Sequence, residues 1–136
     1  MIRSLPKFIA LILLGMILTK CSDKKSSEYV QEGLEHLKHE EYDSAKESFL
    51  KAIEKDANNP NGYYNLGGIY NYQKQFNEAE QAFKSVLKID PTDHNAWYSL
   101  GYTYELIGKK EESEASYKKY RRLKGKMDSL VGQKKN

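Results

Sequence analysis

The sequence points to an all-α protein, a short solenoid of three helix–turn–helix repeats closed by a C-terminal capping helix. Three observations carry that expectation. The chain superimposes on itself at an offset of 34 residues, placing Tyr29, Tyr63 and Trp97 in one column and Gly33, Gly67 and Gly101 in a second. Phe49, Phe83 and Tyr117 form a third column, Ala45, Ala79 and Ser113 a fourth, and Ala52, Val86 and Tyr120 a fifth. Self-similarity at this period means stacked units, none able to bury its apolar face alone. Within a unit the apolar residues recur at three- and four-residue intervals, the period of a helix. Pro60 and Pro91 stand at the seams between units, where they punctuate helices.

Residues 1–20 read as a signal peptide. Arg3 and Lys7 precede an apolar run from Phe8 to Leu18, FIALILLGMIL. As a helix it would span about 16 Å against a hydrocarbon core of about 30 Å, too short to cross a membrane and the right length for the centre of an export signal. Leu18-Thr19-Lys20-Cys21 follows, ending on the chain's only cysteine. This stretch resembles a bacterial lipobox, with Leu18 in place and Lys20 departing from the small residue usual there. The resemblance implies that Cys21 is lipidated and becomes the new N-terminus of an exported, membrane-anchored lipoprotein of the cell envelope. Acyl chains in pairs or more anchor stably where one does not. Ser22 beside the cysteine is similar to an outer-membrane sorting signal, and residues 21–27 then form a polar tether.

The repeats occupy about residues 26–59, 60–93 and 94–125, in a domain from 28 to 125. The third is the clearest: Trp97, Leu100, Gly101 and Tyr104 form one helical stripe. Gly108 with Lys109 and Lys110 breaks that helix, and Ser113, Tyr117, Tyr120 and Leu123 begin a second stripe. These columns resemble the tetratricopeptide repeat, W-x₂-L-G-x₂-Y, then A-x₃-F, then P. The second unit matches with Tyr63, Leu66, Gly67, Tyr70, Ala79, Phe83 and Pro91. The first departs at Glu32, His36 and Ala57, as befits a terminal unit with one face in water. The resemblance implies a short right-handed α-solenoid. Gly67 and Gly101 are expected to allow close helix approach, and Phe49, Phe83 and Tyr117 to fill the space between layers.

Tyr120, Leu123, Met127 and Leu130 continue an apolar stripe able to cover the last repeat, either as one extended helix or, with a break at Gly125, as a short extra one. Residues 126–136 form a basic C-terminal cap or tail. Charge is segregated along the chain: residues 21–116 hold 11 Lys/Arg and 18 Asp/Glu, whereas residues 117–136 hold eight Lys/Arg against Asp128 alone.

Function is expected between the structural columns. In tetratricopeptide arrays the first helix of each pair lines a concave groove, and the resemblance implies groove positions at Asn61, Tyr64, Asn65, Gly68 and Asn71 in the second unit. In the third it implies Asn95, Tyr98, Ser99, Tyr102 and Glu105. Tyrosine offers a rigid face with a hydroxyl and asparagine can bond an extended backbone, so the set suits a protein or peptide partner. Arrays of this family that bind chaperones clamp a C-terminal carboxylate with Lys and Arg. Here Val30, Leu34, Asn95 and Ser99 stand in most of those places and only Asn65 agrees, so acidic C-terminal tails are not expected as ligands by that mechanism.

An alternative reading is an electrostatic adaptor in which Lys118, Lys119, Arg121, Arg122, Lys124, Lys126, Lys134 and Lys135 meet an anionic partner or membrane surface. Nucleic acid is not expected, since no recognition motif or base-stacking module is present. The sequence holds no Ser/His/Asp grouping, phosphate loop, calcium loop or cysteine pair, so neither enzyme activity, a small-molecule substrate nor a cofactor is expected. His36 and His39, with Glu32 or Glu40, could in principle share a metal, but solvated surface histidines are the commoner case and no metal is expected.

Overall fold

The computed structural model describes residues 24–133; residues 1–20 (expected to be an export signal), Cys21, Lys134 and Lys135 lie outside the described residues. Six helices follow in order: α1 (Ser26–Lys38), α2 (Tyr42–Lys55), α3 (Pro60–Tyr72), α4 (Phe76–Ile89), α5 (His94–Leu106) and α6 (Lys110–Gln133). They pair as the hairpins α1–α2, α3–α4 and α5–α6, and the hairpins stack through α2 on α3 and α4 on α5.

Each hairpin closes through the same backbone device. Glu40, Lys74 and Gly108, one repeat apart, carry positive φ angles of 59°, 59° and 75°. The Glu40 N–H donates to Leu37 O at 3.1 Å and the Glu41 N–H to His36 O at 3.0 Å, and the same two bonds recur at Lys74/Gln75 and at Gly108/Lys109. A left-handed residue with this bond pair satisfies carbonyls that a helix end leaves without partners.

The seams between hairpins are also built locally. The Asp56 carboxylate accepts from the Asn58 N–H and that of Asp90 from the Thr92 N–H, both at 2.9 Å, forming tight turns. Asn59 and Asp93 then cap α3 and α5, accepting from the N–H groups of Asn61 and Ala96. Pro60 occupies the first turn of α3, where a missing N–H costs nothing.

Packing within a hairpin is ring on glycine. A Cβ added to Gly33, Gly67 or Gly101 would lie 2.6, 2.7 or 3.0 Å from the rings of Phe49, Phe83 and Tyr117 respectively, so each ring lies against bare backbone. The core divides into two clusters, one around Phe49 with Val30, Leu66 and Ile69, the other around Phe83 with Val86, Leu100 and Tyr104; Tyr70 packs on both. One carboxylate is buried beside the second cluster. Glu80 accepts from Lys84 Nζ at 2.6 Å, Lys109 Nζ at 3.1 Å and the Tyr104 hydroxyl at 3.3 Å, tying α4 to the turn that opens α6. Burial pushes its pKa up, but the two lysines together hold it below the usual carboxylate value.

The C-terminal cap is a continuation of α6, which runs unbroken through Gly125. Lys124 and Met127 occupy the positions held at the seams by the turn-forming Asp56 and Asp90 and by the capping Asn59 and Asp93. The lysine has no acceptor and the methionine sulfur is only a weak one, so neither forms the turn or cap that stops the helix at the other seams. Tyr120 and Leu123 are half-buried on the last hairpin. Met127, Leu130 and Val131 are 44%, 61% and 52% exposed. Arg121 stands exposed at the position where Ile53 packs against Gly62 of the next hairpin and where Leu87 joins the second cluster.

Candidate functional site

The first helices of the second and third hairpins, α3 and α5, touch directly and share one face of the stack. Between them lies a hollow of about 310 Å³ lined by Gly68, Asn71, Tyr72, Tyr98, Ser99 and Tyr102, with Phe83 also in its wall. Neither α3 nor α5 carries a lysine or arginine, and the only carboxylate on them is Glu105. The wall is therefore aromatic and amide in character, able to stack on flat groups and to exchange hydrogen bonds with a backbone.

Of the residues proposed from the sequence, Gly68, Asn71, Tyr98, Ser99 and Tyr102 meet at this hollow. Tyr98 and Tyr102 are 49% and 45% exposed, a large apolar area for a soluble face. The Tyr98 ring is held by Tyr117 and Tyr120, at centroid distances of 5.5 and 5.2 Å. Asn71 Nδ2 donates to Thr103 Oγ1 at 2.9 Å, fixing its amide between the two helices. Ser99 Oγ donates weakly to the Tyr64 hydroxyl at 3.4 Å.

The other proposed positions stand elsewhere or are engaged internally. Tyr64 is half-buried with its ring edge-on to Phe83 at 5.7 Å, so it supports the wall. Asn61, Asn65 and Asn95 lie toward the starts of α3 and α5, away from the hollow, and Asn65 Nδ2 donates to Asn61 O at 2.8 Å. Glu105 accepts from the Tyr117 hydroxyl at 2.8 Å. Burial first, and this bond second, push the Tyr117 pKa up to about 12. Of the positions where a carboxylate clamp would place cations, Val30 is buried and Leu34 half-buried, while Asn95 and Ser99 bear no charge.

Tyr72 is the wall residue the sequence reading missed. It is 67% exposed and stacks on Tyr42 with centroids 4.5 Å apart. Its signal was present, since it follows Gly68 by one helical turn. A second hollow, about 520 Å³, lies over the opposite flank of α3 and is lined by Leu50, Ile53, Tyr63, Leu66, Tyr70 and Ala82 among others. The histidines of the first hairpin do not converge: His36 Nδ1 meets Glu41 at 2.5 Å and His39 Nε2 meets Glu35 at 3.5 Å. Among the described residues no three His, Cys, Asp or Glu side chains are arranged to hold a metal, and no helix is long and apolar enough to cross a membrane.

Three models of the tetratricopeptide repeat match residues 29–59, 60–93 and 82–115 of the chain, more than half of it together. Among curated proteins none matches the sequence. Among solved structures the chain is similar to MamA, with 24% identity and a TM-score of 0.74 over 77% of this chain and 61% of that one. The chain thus spans less than two thirds of MamA. It is also similar to the second tetratricopeptide domain of Spaghetti (RPAP3) bound to the HSP90 peptide SRMEEVD, with 20% identity and a TM-score of 0.71 over 74% and 93% of the two chains. The Sgt2 tetratricopeptide domain from Aspergillus fumigatus gives 22% identity and a TM-score of 0.69 over 74% and 66%. At these identities the likeness concerns the fold.

Proposed function

Since the chain belongs to the tetratricopeptide repeat family, we propose that it is a non-catalytic interaction module which holds an extended segment of a partner protein against α3 and α5. The observation that carries this reading is the hollow between those helices, where Tyr98 and Tyr102 stand half in solvent beside Asn71 and Ser99. Burying the tyrosine faces would supply affinity, and the amide and hydroxyl groups would supply register on a backbone. The neighbouring Spaghetti domain holds an acidic peptide, SRMEEVD. With no cation on α3 or α5, this chain is suited to an uncharged segment instead.

The same proposal places the module in a bacterial envelope, exported by residues 1–20 and anchored through acylated Cys21, with envelope complex assembly as the setting. The lipobox-like Leu18-Thr19-Lys20-Cys21 supports that part. Replacing Tyr98 and Tyr102 with alanine removes the two exposed faces that α5 contributes without touching Tyr64, which props the core. Photo-crosslinking from position 72, on the same wall, in the native host, followed by mass spectrometry, should capture a partner that the double variant carrying the same crosslinker no longer retains. Undiminished capture by a folded double variant would sink the groove reading. Fatty-acid labelling of the wild type and of Cys21→Ala tests the anchor separately.

A further inference from the structure

Among the described residues, the α6 overhang from Lys124 onward takes no part in either core cluster. From Lys124 to Gly132 every residue is exposed. Tyr120, Leu123, Met127, Leu130 and Val131 recur at three-, four- and one-residue steps that place them on one stripe. Lys119 and Lys126 border that stripe on one side and Lys124 on the other, while Gly125, Ser129 and Gly132 fall on the opposite face. Two of these cations are held close to the stripe by aromatic rings: Lys124 lies 5.6 Å from the centre of Tyr120 and Lys119 5.9 Å from that of Trp97.

We propose that the α6 overhang is a membrane-surface helix that lies in the headgroup region of an anionic bilayer, with Met127, Leu130 and Val131 inserted and Lys119, Lys124 and Lys126 on the lipid phosphates. A basic helix with one narrow apolar stripe is the form that binds such an interface, through apolar insertion and attraction to anionic lipid together. Lipid is favoured over a protein groove by composition: three lysines flank an apolar stripe with only Met127, Leu130 and Val131 exposed on it, so attraction to anionic headgroups has to supply much of the binding. The attachment is independent of the groove reading and of acylation at Cys21, and with both in place the stack would be held at its two ends.

The test uses the chain from position 21 onward, without the apolar run Phe8–Leu18, as Cys21→Ser/Val131→Cys, labelled at position 131 with an environment-sensitive fluorophore so that only this helix reports. On vesicles of phosphatidylglycerol the emission should shift to the blue and be quenched by a quencher carried on the lipid tails, and on phosphatidylcholine vesicles neither should occur. The Lys119→Gln/Lys124→Gln/Lys126→Gln variant, checked for its helical spectrum, should lower partitioning by about 100-fold, the combined effect of three cations at the surface. Leu130→Asp should abolish quenching while leaving the melting temperature unchanged. Emission that stays water-like on anionic vesicles overturns the proposal. A shift seen only with an acidic amphipathic peptide also overturns it, and assigns the surface to an acidic protein.

Discussion

Glu40 and Lys74 adopt a backbone conformation that L-residues avoid, while Gly108 adopts it freely. The left-handed region costs a residue with a Cβ about 1–2 kcal/mol, against which a glycine loses about 0.5–1 kcal/mol through its freer unfolded chain. Lys74→Gly should therefore gain up to about 1 kcal/mol and Gly108→Ala should lose about 1 kcal/mol, opposite signs at equivalent positions, read by urea titration. Gly108 was legible as a helix breaker, but Glu40 and Lys74 were hidden in the sequence although they follow the same 34-residue period, because the residue type changes from one repeat to the next. Glu80 was hidden for another reason: its counterparts one repeat away are Lys46 and Glu114, so no column marks it. Burial pushes its pKa up, but Lys84 and Lys109 together hold it below the usual carboxylate range, so its stabilising contribution is present above the unfolded pKa and fades as pH falls through the folded value. Glu80→Ala should cost about 1–3 kcal/mol at pH 7 by leaving Tyr104 and Lys109 without their acceptor. The stability difference between the variant and the wild type should shrink in acid, as pH falls through the depressed pKa of Glu80.

The second helix of each of the first two hairpins ends where a short polar side chain forms the seam. Asp56 with Asn59 and Asp90 with Asp93 supply a turn and a cap, and where Lys124 and Met127 replace them the helix runs on. The helical stripes and the hairpin turn at Gly108 were readable from apolar spacing, since burial imposes that pattern on each copy. The fate of Gly125 was open because one glycine inside a helix costs only about 1 kcal/mol and decides nothing alone. The exposed overhang contributes little to the fold. Ending the chain after Lys124 should change unfolding free energy by no more than about 0.5 kcal/mol, whereas Asn59→Ala should cost about 1 kcal/mol through loss of the α3 cap; chemical denaturation of both checks the contrast.

The stack as a whole is coupled through its middle hairpin. Phe83 sits in the second cluster against Gly67 and Tyr64, and Tyr70 of the same hairpin joins both clusters. Repeat arrays gain stability from each unit and from each interface between neighbours, so the middle unit carries two interfaces and the end units one. Phe83→Ala should cost about 3–5 kcal/mol and reduce hydrogen-exchange protection across all six helices. Phe49→Ala should release α1 and α2 while α5 and the first half of α6 stay protected. The groove was legible only in part for the same cooperative reason. Repeat register locates the helix face, but whether Tyr64 or Glu105 is free for a partner depends on Phe83 and Tyr117 in facing helices. Arg121 governs how long such a stack can be. It sits on the terminal surface where Ile53 and Leu87 carry the next hairpin, and a guanidinium there keeps that surface in water. Array length is thus written in the last helix and not in the seams. A chain given leucine at 121, aspartate at 124 and asparagine at 127 would have an open docking end, and a fourth hairpin could be added by extension alone, leaving every existing contact in place.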